Sequence, residues 1–167
     1  MGISIESIKA LREKTGAGVM DSKRALQKSE GDIQAAEEIL REEGIASAAK
    51  KASRATNEGL VEAYIHSGGR VAALVELNCE TDFVARTKDF KLLAHDIAMQ
   101  VAAMSPKYVD CNDVPDDEQS STEQASLLQQ PFIKDPTKTI QELVKETIGK
   151  LGENIQVRRF TRFSLGD

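Results

Sequence analysis

With 167 residues, 40% of them hydrophobic and 29% charged, the chain has the composition of a globular protein. No apolar run approaches the ~20 residues that cross a bilayer. A formal charge of -5 argues against capture of phosphate backbones, which needs Lys and Arg gathered on one face, so nucleic acid is not expected as a direct partner.

Residues 1–54 read as three short helices and a helical linker. Ser4 is placed to cap the first helix, in which Ile5, Ile8 and Leu11 form one stripe and Thr15-Gly16 makes the stop. The second follows Gly16-Ala17-Gly18, carries Ala25 and Leu26, and ends around Ser29-Glu30-Gly31. Asp32 caps the third, whose Ile33, Ala36, Ile39 and Leu40 line one side, and Gly44 stands where a left-handed C-cap belongs. From Ile45 to Asn57 an alanine-rich stretch with Lys50, Lys51 and Arg54 reads as the linker.

Residues 55–167 read as an α+β unit. Val61, Ala63 and Ile65 share one face of a strand, Ser67-Gly68-Gly69-Arg70 makes a turn, and Val71, Ala73, Val75, Leu77 and Cys79 share one face of the next. After a corner at Asp82-Phe83, the spacing of Phe90, Ala94, Ile97, Val101 and Met104 predicts a long helix that stops before Pro106. Asp110 to Gln130, with Pro115, Asp116, Asp117, Ser120 and Ser121, is polar and reads as a loop or partly ordered spacer. Thr139 and Glu142 form a capping box for a helix with Ile140, Leu143, Val144, Ile148 and Leu151 on one side. A closing strand sets Ile155, Val157, Arg159 and Thr161 against Arg158, Phe160 and Arg162. The predicted fold class is α+β, with an amino-terminal three-helix bundle and a core whose three-stranded antiparallel sheet is covered by helices.

The chain offers little for chemistry of its own. The candidates for a nucleophile and base are Cys79 and Cys111 with His66 and His95, and their spacing matches neither a catalytic signature nor the Cys-x-x-Cys or His-x₃-His pairs of zinc sites. Cys79 is expected to pack with the apolar face of its strand, both histidines to be exposed, and both thiols to be reduced. Gly16-Ala17-Gly18 and Gly68-Gly69 lack the lysine and hydroxyl of a P-loop and the third glycine of a dinucleotide fingerprint. No cofactor, metal or bound nucleotide is expected, and the chain is not expected to be an enzyme. The opening residues, Met1-Gly2-Ile3-Ser4-Ile5-Glu6, lack the basic and apolar stretches of a secretion signal and the hydroxyl of an acylation site, so a cytoplasmic location without a membrane partner is expected.

The most informative stretch is Asn78-Cys79-Glu80-Thr81-Asp82-Phe83-Val84-Ala85, where a strand ends in a corner that opens a helix. An aromatic at such a corner either caps a core or waits for a partner's pocket. Together with Thr15-Gly16-Ala17-Gly18-Val19-Met20-Asp21, Lys23-Arg24-Ala25-Leu26, Leu151-Gly152-Glu153-Asn154-Ile155 and Val157-Arg158-Arg159, it resembles the elongation factor Ts family, the nucleotide-exchange factors of elongation factor Tu.

The resemblance implies a ubiquitin-associated type of bundle at the start and contact with the GTPase domain of elongation factor Tu. Thr81, Asp82, Phe83 and Val84 would disturb its magnesium site, with Phe83 as the wedge and Asp82 as the polar anchor. Val19, Met20, Asp21 and Lys23 would form a second contact patch. Longer family members duplicate the second half of the core; here the stretch after Pro115 is short, as in compact members that pair two chains, so a homodimer is implied. Two other classes stay open on the residues alone: a ubiquitin-associated binding module with an appended interaction domain, and a small thiol enzyme. Release of labelled GDP from elongation factor Tu distinguishes the first reading, and inactivation by alkylation the last.

Overall fold

A computed structural model describes residues 3–115 and 122–166. The chain opens with α1 (Ile5–Thr15), α2 (Val19–Lys28) and α3 (Ile33–Lys51). Local signals start and stop them. The Ser4 hydroxyl accepts from the Ser7 N–H at 3.0 Å, and the Asp32 carboxylate accepts from the Ala35 N–H at 2.9 Å. Gly16, at φ 69°, closes α1 by sending its N–H to the Arg12 carbonyl. Leu11, Ala25, Leu26 and Ala36 make a small buried centre, edged by Ile3, Ile8, Ile33, Ile39 and Leu40. Ile5, expected in the stripe, points to solvent.

The rest of the chain forms β1 (Glu58–Ile65), β2 (Val71–Cys79), α4 (Asp82–Ala85), α5 (Lys88–Met104), α6 (Thr122–Ala125), β3 (Pro131–Phe132), β4 (Asp135–Thr139), α7 (Ile140–Leu151) and β5 (Ile155–Ser164). The three-stranded sheet has the order β1-β2-β5 and both pairings are antiparallel, so the predicted α+β class and sheet are found. The capping box of α7 is present, with the Thr139 side chain and the Glu142 side chain each bonded to the other's backbone. Ala73, Val75, Leu77 and Cys79 of β2 are buried under α5, whose Phe90, Ala94, Ile97 and Val101 meet them in one core. Met104, read into that stripe, is largely exposed at the helix end.

Four features depart from the sequence reading. Gly44 does not end α3, which runs on to Lys51 through what read as a separate linker. A Cβ on Gly149 would lie 2.6 Å from the Gly44 Cα, so the two glycines let α3 and α7 cross with their backbones nearly touching. On β1, Val61, Ala63 and Ile65 do share a face, but it is the outer one; Leu60, Glu62 and Tyr64 turn toward α5, where Tyr64 meets His95 edge-on at 5.6 Å. On β5, a register shift pairs Glu76 with Arg159 and Leu77 with Val157, leaving Arg158 as an extra residue. That bulge flips the alternation, so Phe160 joins Ile155 and Val157 against the core in place of Arg159 and Thr161.

The fourth departure is the spacer. Leu127 is fully buried, and buried Gln100 of α5 donates to the Gln130 side chain at 3.1 Å and the Pro131 carbonyl at 3.0 Å. Gln100 Oε1 accepts the Ile133 N–H at 3.0 Å, which fixes the small β3–β4 hairpin that the sequence did not signal. Asp116, Asp117, Ser120 and Ser121 lie outside the described residues. Among the described residues no helix is long and apolar enough to cross a membrane.

Candidate functional site

The corner is built from below. Buried Cys79 ends β2, and its thiol donates to the Thr81 carbonyl at 3.1 Å. Burial, and then the negative charge of Glu153, push the Cys79 thiol from 9.0 to about 11, so it stays protonated at neutral pH, the opposite of an activated nucleophile. Thr81 is extended and its hydroxyl accepts the Val84 N–H, which caps the four-residue α4. At Thr87 the chain breaks and restarts as α5, with the Thr87 hydroxyl donating to the Val84 carbonyl at 2.8 Å and accepting from the Phe90 N–H at 3.3 Å.

This framework sorts the four residues of the corner. Val84 packs on the core and Ala85 is buried. Asp82 is half-buried and pairs with Arg86 at 2.8 Å, one turn on. Phe83 is 77% exposed and belongs to neither core cluster. An aromatic ring on a framework held this firmly presents a rigid apolar surface to solvent, which is the disposition of an interface anchor. Thr81 is held from across the molecule. The Glu153 carboxylate, in the turn between α7 and β5, accepts its N–H at 3.0 Å and its hydroxyl at 2.6 Å.

The amino-terminal patch has similar exposure on a different element. Val19 and Met20 open α2 and point outward, Met20 at 70%. Asp21 is occupied by Arg24 at 2.8 Å, and Arg24 reaches on to Glu43 at 3.1 Å. Lys23 is exposed. The hydrogen bonds from Arg24 and Lys28 hold the Glu43 carboxylate below the usual range, that from Lys28 most strongly, so this side of the bundle is a charge-paired surface around an apolar tip.

Lys150 of α7 links the two patches. Its stem fills the space beside Gly16, where a Cβ would lie 2.1 Å from the Lys150 Cε, and its ammonium reaches Asp89 in the first turn of α5 at 2.9 Å. The turn leading into α2 and the helix following the corner thus sit on one side chain. Elsewhere, the two histidines are surface groups: His66 Nδ1 meets the Tyr64 hydroxyl at 3.1 Å and His95 Nδ1 meets Glu62 at 3.1 Å. Among the described residues no group of three His, Cys, Asp or Glu side chains could hold a metal ion. In the sequence Glu153 stands out only as part of a motif that carries the family resemblance. Nothing local marks it as a partner of Thr81, 72 residues away.

The chain matches one group of known proteins. The family model described as Elongation factor TS matches residues 12–124. The elongation factor Ts of Carboxydothermus hydrogenoformans is 49% identical over 195 aligned positions, covering 99% of this chain and 90% of that protein. Those of Thermoanaerobacter sp. strain X514 and Thermotoga neapolitana are 48% and 47% identical, covering 99% and 100% of this chain and 96% and 99% of theirs. The aligned positions outnumber the 167 residues of the chain, so these relatives carry residues with no counterpart in it. A match of this extent and identity shows that the chain belongs to the elongation factor Ts family, a family of translation elongation factors.

Proposed function

We propose that the chain is a guanine-nucleotide exchange factor for elongation factor Tu. It binds the GDP-loaded GTPase, disturbs the magnesium and phosphate site and promotes GDP release, while binding no nucleotide itself. The observation that carries this reading is Phe83, exposed at 77% on a corner whose other residues are packed, capped or paired. Linkage supplies the physics: a factor that prefers the nucleotide-free GTPase weakens nucleotide binding by the same ratio. Magnesium neutralises phosphate oxygens in such sites, so displacing the groups that hold it removes much of the nucleotide's affinity. No bond is made or broken. Phe83 acts as the wedge, Asp82 as its polar anchor, with Thr81 and Val84 as the frame, and Val19, Met20, Asp21 and Lys23 as the second contact.

Within this reading residues 1–54 contribute affinity, residues 55–167 carry pairing and exchange, and the protein works in the cytoplasm as a homodimer. The outer sheet face supports the pairing. Register places Ile65 opposite Ala72 and Ala72 opposite Phe163, with Ala63 opposite Leu74 in the next row, in an apolar patch at one end of the face that a second copy would cover. Accelerated release of fluorescent GDP from elongation factor Tu on adding the protein tests the function, and an unchanged release rate refutes it. Sedimentation at micromolar concentration should give twice the chain mass.

A further inference from the structure

A four-residue helix cannot hold its own shape, because forming the first turn costs more than its single hydrogen bond returns. Val84 and Ala85 seat one side of α4 on the core and Thr87 holds its end, so the direction in which its first turn presents Phe83 depends on how Thr81 is fixed at its start. The Val84 N–H lies 3.5 Å from the Thr81 oxygen, a long cap that works only if the hydroxyl turns a lone pair toward it. Glu153 imposes that orientation. One carboxylate oxygen takes the hydroxyl proton at 2.6 Å and the other takes the Thr81 N–H at 3.0 Å, so the rotor is fixed with its lone pairs free for Val84.

Glu153 is itself anchored. It follows Gly152, the left-handed C-cap of α7 at φ 78°, and precedes buried Asn154. The Asn154 N–H donates to Glu80 at 2.7 Å, and its amide nitrogen donates to the Arg54 carbonyl at 2.8 Å and the Ala52 carbonyl at 3.3 Å. Two neighbouring residues of one segment thus exchange bonds with two of the other. Glu80 accepts from the backbone of Asn154, and the backbone of Thr81 donates to Glu153. A clamp of this form fixes both the position and the direction of the segment entering α4.

From this geometry we propose that Glu153 is a positioning residue for nucleotide exchange: it touches neither partner nor nucleotide, and it acts by holding Thr81 so that Phe83 meets its target in one orientation. The inference rests on the reading of the corner as the exchange wedge. Misplacement by a fraction of an ångström at a site that acts through geometry lowers the maximal rate more than it lowers affinity, which the remaining contacts preserve.

The test uses the full chain with Glu153→Ala, Glu153→Gln and Phe83→Ala, measuring release of fluorescent GDP from elongation factor Tu over a range of exchange-factor concentrations. Glu153→Ala should lower the saturating release rate about tenfold while the half-saturating concentration moves by less than about threefold. Glu153→Gln keeps an acceptor for the Thr81 N–H but sets an NH2, a donor, where the hydroxyl proton was taken, so it should recover only part of the rate. Hydrogen exchange of the Val84 amide should quicken in Glu153→Ala while the amides of β2 stay protected. A normal saturating rate in Glu153→Ala beside an impaired Phe83→Ala overturns the role of Glu153 and leaves the corner's role standing. A rate that falls only in step with the folded fraction, with β2 amides exposed as well, overturns it in favour of plain stability. A silent Phe83→Ala refutes the reading of the corner, and the role of Glu153 in exchange falls with it.

Discussion

The bundle and the core are built on different scales. The bundle is centred on Leu11, Ala25, Leu26 and Ala36, whereas the core cluster runs from Ala48 to Ile155 and includes Phe90, Leu77, Ile97 and Ile140, all fully buried. Apolar burial is the main stabilising term, so a centre made of two leucines and two alanines is marginal alone. The bundle is supported from outside as well: α3 packs against α7, whose Gly149 meets Gly44, and Lys150 fills the space at Gly16. One candidate contact patch therefore stands on the strong half and the other on the weak half, which makes the second the more easily tuned or lost.

The largest effect expected from pressing on this contrast comes from cavities. Phe90→Ala should cost about 3–5 kcal/mol and unfold the whole chain, while Leu26→Ala should cost about 2–5 kcal/mol yet open mainly the bundle. Hydrogen exchange resolved by residue separates the two: protection of β2 should collapse in the first variant and survive in the second.

Phe83→Ala should remove about 2 kcal/mol or more of binding to elongation factor Tu with little change in thermal midpoint, since the exposed ring lies outside both core clusters. A large drop in midpoint would show that the ring belongs to the core after all. Gly149→Ala addresses the join between the halves, because its methyl would meet the Gly44 backbone at 2.6 Å and push α3 away. A cost of about 1–3 kcal/mol is expected, read as faster amide exchange across α1 and α2 with the sheet unaffected.

The effect that vanishes at neutral pH is a pH dependence. The Cys79 thiol ionises near 11 when folded against 9.0 for an unperturbed thiol, so between those values the folded chain holds a proton that the unfolded chain has released. Its contribution to stability is complete below pH 9.0 and declines by about 1.4 kcal/mol per unit up to about 11. Comparing alkaline denaturation of the parent with Cys79→Ala checks the sign, since only the parent should show this component.

What the sequence made legible was local. Ser4, Asp32 and the Thr139–Glu142 pair announce helix starts because each acts on backbone within three residues. The helical spacing of Phe90, Ala94, Ile97 and Val101 likewise carries its own period. The misreadings share a non-local cause. Gly44 looks like a terminator, but its missing side chain serves α7, a neighbour about a hundred residues on. Val61, Ala63 and Ile65 share a face as their alternation indicates, but only the presence of α5 over Leu60 and Tyr64 decides which face of β1 turns inward. Arg158 becomes the extra residue of a bulge through its pairing with β2, and Leu127 is buried although its polar neighbours suggest solvent. At the corner, Asp82 and Phe83 could be singled out from their own residues, whereas the Thr81–Glu153 clamp joins positions 72 apart that no periodicity connects.

The order of strands in the sheet has a consequence for synthesis. Because β2 lies between β1 and β5, the hairpin leaves the ribosome with one edge of its middle strand bare, and that edge stays bare until residues 155–164 have followed. The Glu153 turn emerges at nearly the same moment. The nascent chain therefore carries an unsecured corner from the synthesis of Thr81 until Glu153 has followed, and the partner-facing geometry is assembled at a stroke when the final strand docks.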